Sequence, residues 1–346
     1  MNRLVRPIVD WLRTGWEGWN RFWFTPQDAA TLGLIRILAG GMLFYTHLVW
    51  AKDFQAFFGP NPWVDLDLLA RLQADGWAWS HFWLIRSPAV LWMLHLGALC
   101  VFALLTLGLY SRLMAGLSFL ITVSYIHRLT GSLYGLDQCN AMLAMYLAVG
   151  PCGEAYSLDR WLTARREGLK LPAAAPRINT NVAIRLAQIH LCIIYLFAGM
   201  AKLQGAAWWD GTAMWGAVAI QEYQSIDMTW LAHHPVLVAL ATHTVLFWEL
   251  FYAALIWPRF TRPVMLLLAL PLHLGIVLFL GMPTFGLAML ICNLAFVPPE
   301  WVRMVFGPRP PAGQAKRGQS AVLRPTRRGQ ASSAVGKAEM RAMAAG

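Results

Sequence analysis

The sequence predicts an all-α fold, a polytopic integral membrane bundle with about eight transmembrane helices. Three observations carry this. First, 58% of the 346 residues are hydrophobic and only 13% are charged, whereas soluble domains run near 25% charged. Second, apolar stretches recur at lengths that cover, or nearly cover, a hydrocarbon core about 30 Å thick. Third, the segments between them alternate between basic and acidic, as the two sides of a membrane require.

Taken in order, residues 1–27 mix Arg3, Arg6, Arg13 and Arg21 with Asp10 and Glu17, and they lack the apolar centre of a cleavable leader. Trp11, Trp16, Trp19, Phe22 and Trp23 punctuate them. The segment is expected to lie along the membrane surface as an amphipathic helix. The domain proper is expected over 28–305, with spans at 28–50, 88–108, 113–127, 138–152, 186–204, 236–256, 264–281 and 285–298. Those at 113–127, 138–152 and 285–298 are short for a crossing. Pro271 predicts a kink within the seventh span and Pro283 a tight turn before the eighth. The stretch 163–182 reads as a linker, and 306–346 as a disordered basic tail, because neither presents a periodic apolar face.

Charge gives an orientation. The first 27 residues, the 157–185 segment (Arg160, Arg165, Arg166, Lys170, Arg177, Arg185), Arg259 with Arg262, and eight Lys/Arg after residue 307 fall on one side. Asp53, Asp65, Asp67 and Asp75 fall on the other, together with Asp210, Glu222 and Asp227. Both termini are therefore expected in the cytoplasm. The net charge of +11 needs only anionic lipid headgroups as its partner, and no nucleic acid. The five cysteines are irregularly spaced, and the histidines show no ligand spacing, so neither a disulfide scaffold nor a metal site is predicted.

Three features could carry chemistry. Lys202 lies deep in the course of the fifth span, where a lysine costs about 2.5–3.5 kcal/mol on insertion scales. Either it snorkels to the interface with its stem along lipid, or it faces the bundle interior as a base. In the second case Lys202→Met should hold or raise stability. His273 stands alone in the seventh span, as an interhelical hydrogen-bonding group or as a site residue. Tyr134, Asp137 and Asn140 form a polar cluster on the side where Trp208 and Trp209 end the fifth span. Singly these five read as belt, turn and cap residues; together they could line a substrate pocket.

Several stretches, in the same order, resemble a known family. They are Phe24-Thr25-Pro26-Gln27-Asp28-Ala29-Ala30 with Leu34-Ile35-Arg36, Leu107-Gly108-Leu109-Tyr110-Ser111-Arg112, Ser132-Leu133-Tyr134-Gly135, Tyr156-Ser157-Leu158-Asp159, Tyr195-Leu196-Phe197-Ala198-Gly199-Met200-Ala201-Lys202-Leu203, His273, and Pro298-Pro299-Glu300-Trp301. The chain resembles the integral-membrane domain of vitamin K-dependent gamma-carboxylase and the bacterial horizontally transferred transmembrane (HTTM) proteins related to it. The resemblance implies a lipid-phase enzyme in a bacterial cytoplasmic membrane. It implies a vitamin K-type hydroquinone with O2 and CO2 as cofactors, Lys202 as the base that deprotonates the quinol, and His273 as a second catalytic residue. The family's Asn-His before Ser-Tyr-Leu-Tyr-Gly is replaced here by Thr130-Gly131, and its lumenal domain has no counterpart in this sequence. The expectation is therefore quinol oxygenation, with or without carboxylation. The alternative is a non-catalytic membrane protein that binds a lipid, a quinone or a membrane partner.

Overall fold

A computed structural model describes residues 5–73, 76–168 and 174–307. Of the tail expected over 306–346, only residues 306 and 307 are among these. The described chain is helical, with no strand; its one β-type pairing is the antiparallel bridge between Gln27 and Arg177.

Nine helices organise the unit that ends at Val302. They are α1 (Val5–Phe24), α2 (Ala30–Trp50), α3 (Pro88–Leu107), α4 (Ser111–Arg128), α5 (Gly135–Val149), α6 (Ile178–Lys202), α7 (Pro235–Leu255), α8 (Arg262–Phe279) and α9 (Pro283–Asn293). From α2 onward, eight helices stand where eight apolar spans were expected. Five of them (α2, α3, α6, α7 and α8) are long and apolar enough to cross a membrane. The shortfall in the others is physical. α5 and α9 have 15 and 11 residues, about 22 and 16 Å of helix at 1.5 Å per residue. α4 has length but carries Ser111, Ser118, Thr122 and Ser124, all buried inside the bundle. α9, extended to Phe296, turns by 113° into the helix Pro299–Phe306.

α6 begins at Ile178, inside the 163–182 stretch expected to be a linker, and the helix Leu158–Arg166 runs into the start of that stretch. The polar residues of the first turns of α6 are used internally. Asn181 Nδ2 donates to the carbonyls of Phe22 and Trp23 at 2.7 and 2.9 Å, satisfying acceptors that the last turn of α1 cannot. Arg185 donates to the Phe22 carbonyl and lies 4.4 Å over its ring. Pro271 sits within α8, which continues through it, and Pro283 opens α9 at its first position, where a missing N–H costs nothing.

One buried arginine gathers three of the stretches noted above. Arg36 on α2 is fully buried and donates to the carbonyls of Leu105, Thr106, Cys152 and Tyr156 at 2.6–3.1 Å. It thereby closes the C-terminal end of α3 and fixes the 151–157 turn. Asp159 completes the corner by accepting from the backbone N–H groups of Tyr110 and Ser111 and from the Ser111 hydroxyl. These stretches are architectural.

At the opposite end of α2, Phe54, Phe58, Phe82, Leu91 and Tyr125 form a second apolar cluster that packs the chain around Phe54–Phe58 and Phe82 onto α3 and α4. His95 Nδ1 meets the Tyr125 hydroxyl at 2.7 Å and His81 Nδ1 meets Ser124 Oγ at 2.6 Å. Burial holds His81 below the ordinary histidine range.

Candidate functional site

Lys202 is the last residue of α6, and its amine faces the neighbouring helix α7. Its Nζ is 2.5 Å from Oε2 of Glu249 on α7, with the two side chains 23% and 15% exposed. Trp208 covers the ammonium, with its ring centroid 5.3 Å from Nζ, a cation–π contact.

Local sequence builds this arrangement. A Cβ on Gly199 would stand 2.9 Å from the backbone nitrogen of Leu250, so glycine there lets α6 and α7 approach at the level of Glu249. Lys202, one turn on, is then opposite the carboxylate. After Leu203 the chain turns into the short helix Ala206–Trp209, closed by Trp209 Nε1 donating to the Leu203 carbonyl at 2.8 Å. Gly211 ends the turn at φ +75° and packs against Ala239 and His243 of α7, where a side chain would be strained and crowded. Trp208 is thereby held over the pair, while Trp209 is 60% exposed and serves the turn.

Glu249 was not among the predicted site residues. The signal was present: a lone carboxylate in Leu246-Phe247-Trp248-Glu249-Leu250 is as costly in an apolar span as a lone lysine. Two such residues of opposite sign on different spans are each other's natural partner. Glu249 also alters the expectation for Lys202→Met, because removing the amine now strands a carboxylate.

His273 belongs to a different layer. Its Nε2 lies 2.6 Å from the Tyr195 hydroxyl. Asn293 Nδ2 donates to the same hydroxyl at 2.9 Å, and Tyr252 donates to Asn293 Oδ1 at 2.7 Å. This order of donors makes Tyr195 the donor to His273 and leaves the neutral ring's proton on Nδ1, which has no partner among the described residues. Four buried side chains from α6, α7, α8 and α9 are thus tied by hydrogen bonds. Tyr195 is seven residues before Lys202, about 10 Å along the helix axis, so His273 and Lys202 stand at separate levels.

Tyr134 and Asp137 form a third group. Asp137 accepts from the Tyr134 N–H at 3.1 Å, the cap role expected for it, and the Tyr134 hydroxyl meets Thr284 Oγ1 at 3.2 Å. Both line a cavity of about 250 Å³ with Tyr45, Trp50 and Phe57. Asn140, one turn further on α5, is buried and its Oδ1 has no partner among the described residues. Lys202 lines neither this cavity nor the larger one between α2, α8 and α9. The predicted residues therefore occupy three places: Lys202 with Trp208 and Trp209, His273 with Tyr195, and Tyr134 with Asp137.

The sequence pattern of the HTTM domain matches residues 24–301. This chain belongs to the HTTM family. No curated protein and no solved structure matches it. The HTTM match and the five apolar helices together make it an integral membrane protein. Within this HTTM chain the motif Ala198-Gly199-Met200-Ala201-Lys202-Leu203 has a definite geometry: the glycine seats a neighbouring helix and the lysine meets that helix's carboxylate.

Proposed function

We propose that this HTTM protein is a lipid-phase enzyme of the gamma-carboxylase-like type, in which the Lys202–Glu249 pair accepts the proton of a quinol hydroxyl. The observation that carries the reading is the 2.5 Å pair itself, capped by Trp208 and facing another helix. Taking charge out of water is costly, and the two groups face each other at contact distance with little exposure, so a proton has a direct path between them. Passing one proton along the short contact to Glu249 leaves Lys202 as a neutral amine, the form a general base requires. The amine then takes the quinol proton, and the resulting ammonium faces the quinolate oxygen. O2 is the oxidant: one of its atoms becomes the epoxide oxygen, and the other leaves as water with the two hydroxyl protons of the quinol. Thr130-Gly131, where the family carries Asn-His, favours oxygenation without carbon–carbon bond formation. A bacterial cytoplasmic membrane with both termini inside is part of the same proposal.

The test is incubation of the purified protein in detergent with vitamin K hydroquinone and O2, scoring epoxide and fixation of labelled CO2 into a glutamate peptide. Epoxide without fixed CO2 is expected. Absence of both products would leave the non-catalytic binding protein as the surviving account.

A further inference from the structure

A cavity of about 1080 Å³ lies between α2, α8 and α9, and of the side chains tied to His273 only Asn293 lines it. Its walls are aliphatic, with Met42, Leu266, Ala269, Leu290 and Ile291 among them. Leu267 and Leu270 of α8 and Leu287 of α9 line it while remaining 67%, 46% and 44% exposed, so it opens sideways among residues that would face acyl chains. One end is cationic. Arg259 and Arg262 line it there, against the single carboxylate of Glu300, and neither arginine forms an ion pair with it. Arg262 is braced by Nε and Nη2 donating to the carbonyls of Ile256 and Trp257 at 3.1 and 2.7 Å. That leaves its second terminal nitrogen without a partner among the described residues. Arg259 is exposed and has no partner among the described residues.

We propose that this cavity seats one anionic phospholipid, acyl chains along α8 and phosphate at Arg259 and Arg262. Volume and walls suit an amphiphile that enters from the bilayer, because a water-soluble ligand would have to cross an apolar rim. Charge selects its headgroup. Two guanidiniums against one carboxylate leave a net positive mouth, which a zwitterionic headgroup neutralises less well than an anionic one. The mouth lies at the end of the bundle where Arg185 stacks near Trp257, the end that the Lys/Arg bias assigns to the cytoplasmic leaflet.

The experiment is native mass spectrometry of the full chain released from detergent after equilibration with phosphatidylglycerol, phosphatidylcholine, glycerol phosphate or a neutral menaquinone. One retained phosphatidylglycerol per chain is expected, in preference to the other three. Arg259→Gln, which touches no helix end, should lower the preference over phosphatidylcholine about fivefold. Leu270→Trp, which fills the wall, should lower retention of any lipid. Circular dichroism of both variants confirms folding. Equal retention of both phospholipids, preference for menaquinone, binding of glycerol phosphate alone, or an Arg259→Gln variant with unchanged preference would each overturn the inference.

Discussion

Removing Lys202 and removing Glu249 should each cost more than removing both. Lys202→Met leaves the Glu249 carboxylate 15% exposed beside an apolar side chain, and stranding one member of a buried pair is strongly destabilising. About 2–3 kcal/mol is expected, at the low end because both groups keep some solvent. Glu249→Leu should cost a similar amount, and the double variant should recover more than one of these losses, a coupling of about 3 kcal/mol. Unfolding in a detergent with a fixed denaturant series measures this, and additive losses would show that the pair does not act as a unit. His81 gives a pH signature at the same scale. Burial lowers its folded pKa, so the unfolded state binds the proton more readily below about pH 6.5. Its neutral form supports the fold above that pH, and the support is lost as pH falls. The thermal midpoint of wild type should therefore drop more than that of His81→Gln between pH 7.5 and 5; parallel curves would contradict this.

At the scale of elements, Arg36 holds α2, α3 and the 151–157 turn through four carbonyls. Arg36→Met keeps the stem's volume and leaves those acceptors without their donor inside the protein, so a loss of at least about 4 kcal/mol is expected. Absence of a cooperative thermal transition is the readout, and a wild-type midpoint would mean the carbonyls find water instead. The helices themselves were legible because apolar runs of 18 or more residues leave little alternative in an apolar solvent. The start of α6 was not. Its first turns carry Asn181, Arg185 and Gln188, and the polar start fell between the linker expected to residue 182 and the span expected from 186; yet these side chains bond to Phe22, Trp23 and Ala295. Polar residues that serve as interhelical ties are indistinguishable from solvated ones in a single sequence. Glu249 escaped for a related reason: spacing within one helix was weighed, and its partner sits on another. Asp137, by contrast, was readable as a cap because its bond is local.

Within the unit that ends at Val302, successive helices run back and forth, so Arg36, Arg177, Arg185, Arg259 and Arg262 belong to one end, while Phe54–Phe58, Phe82 and the Tyr134 cavity belong to the other. The Lys/Arg bias predicts which end is cytoplasmic. A cysteine at Ser225, which bonds to the Phe279 carbonyl at the far end of α8, should be labelled from outside intact cells. Labelling only after lysis would invert the orientation. The central claim is that the Lys202–Glu249 pair is a proton acceptor in this frame and not an anchor. Lys202→Arg tests it most directly, because guanidinium can keep the contact with Glu249 but stays protonated at any working pH. In the hydroquinone assay the account predicts a folded Lys202→Arg protein with an unchanged thermal midpoint and no epoxide. Epoxide formed by that variant at the wild-type rate would contradict it.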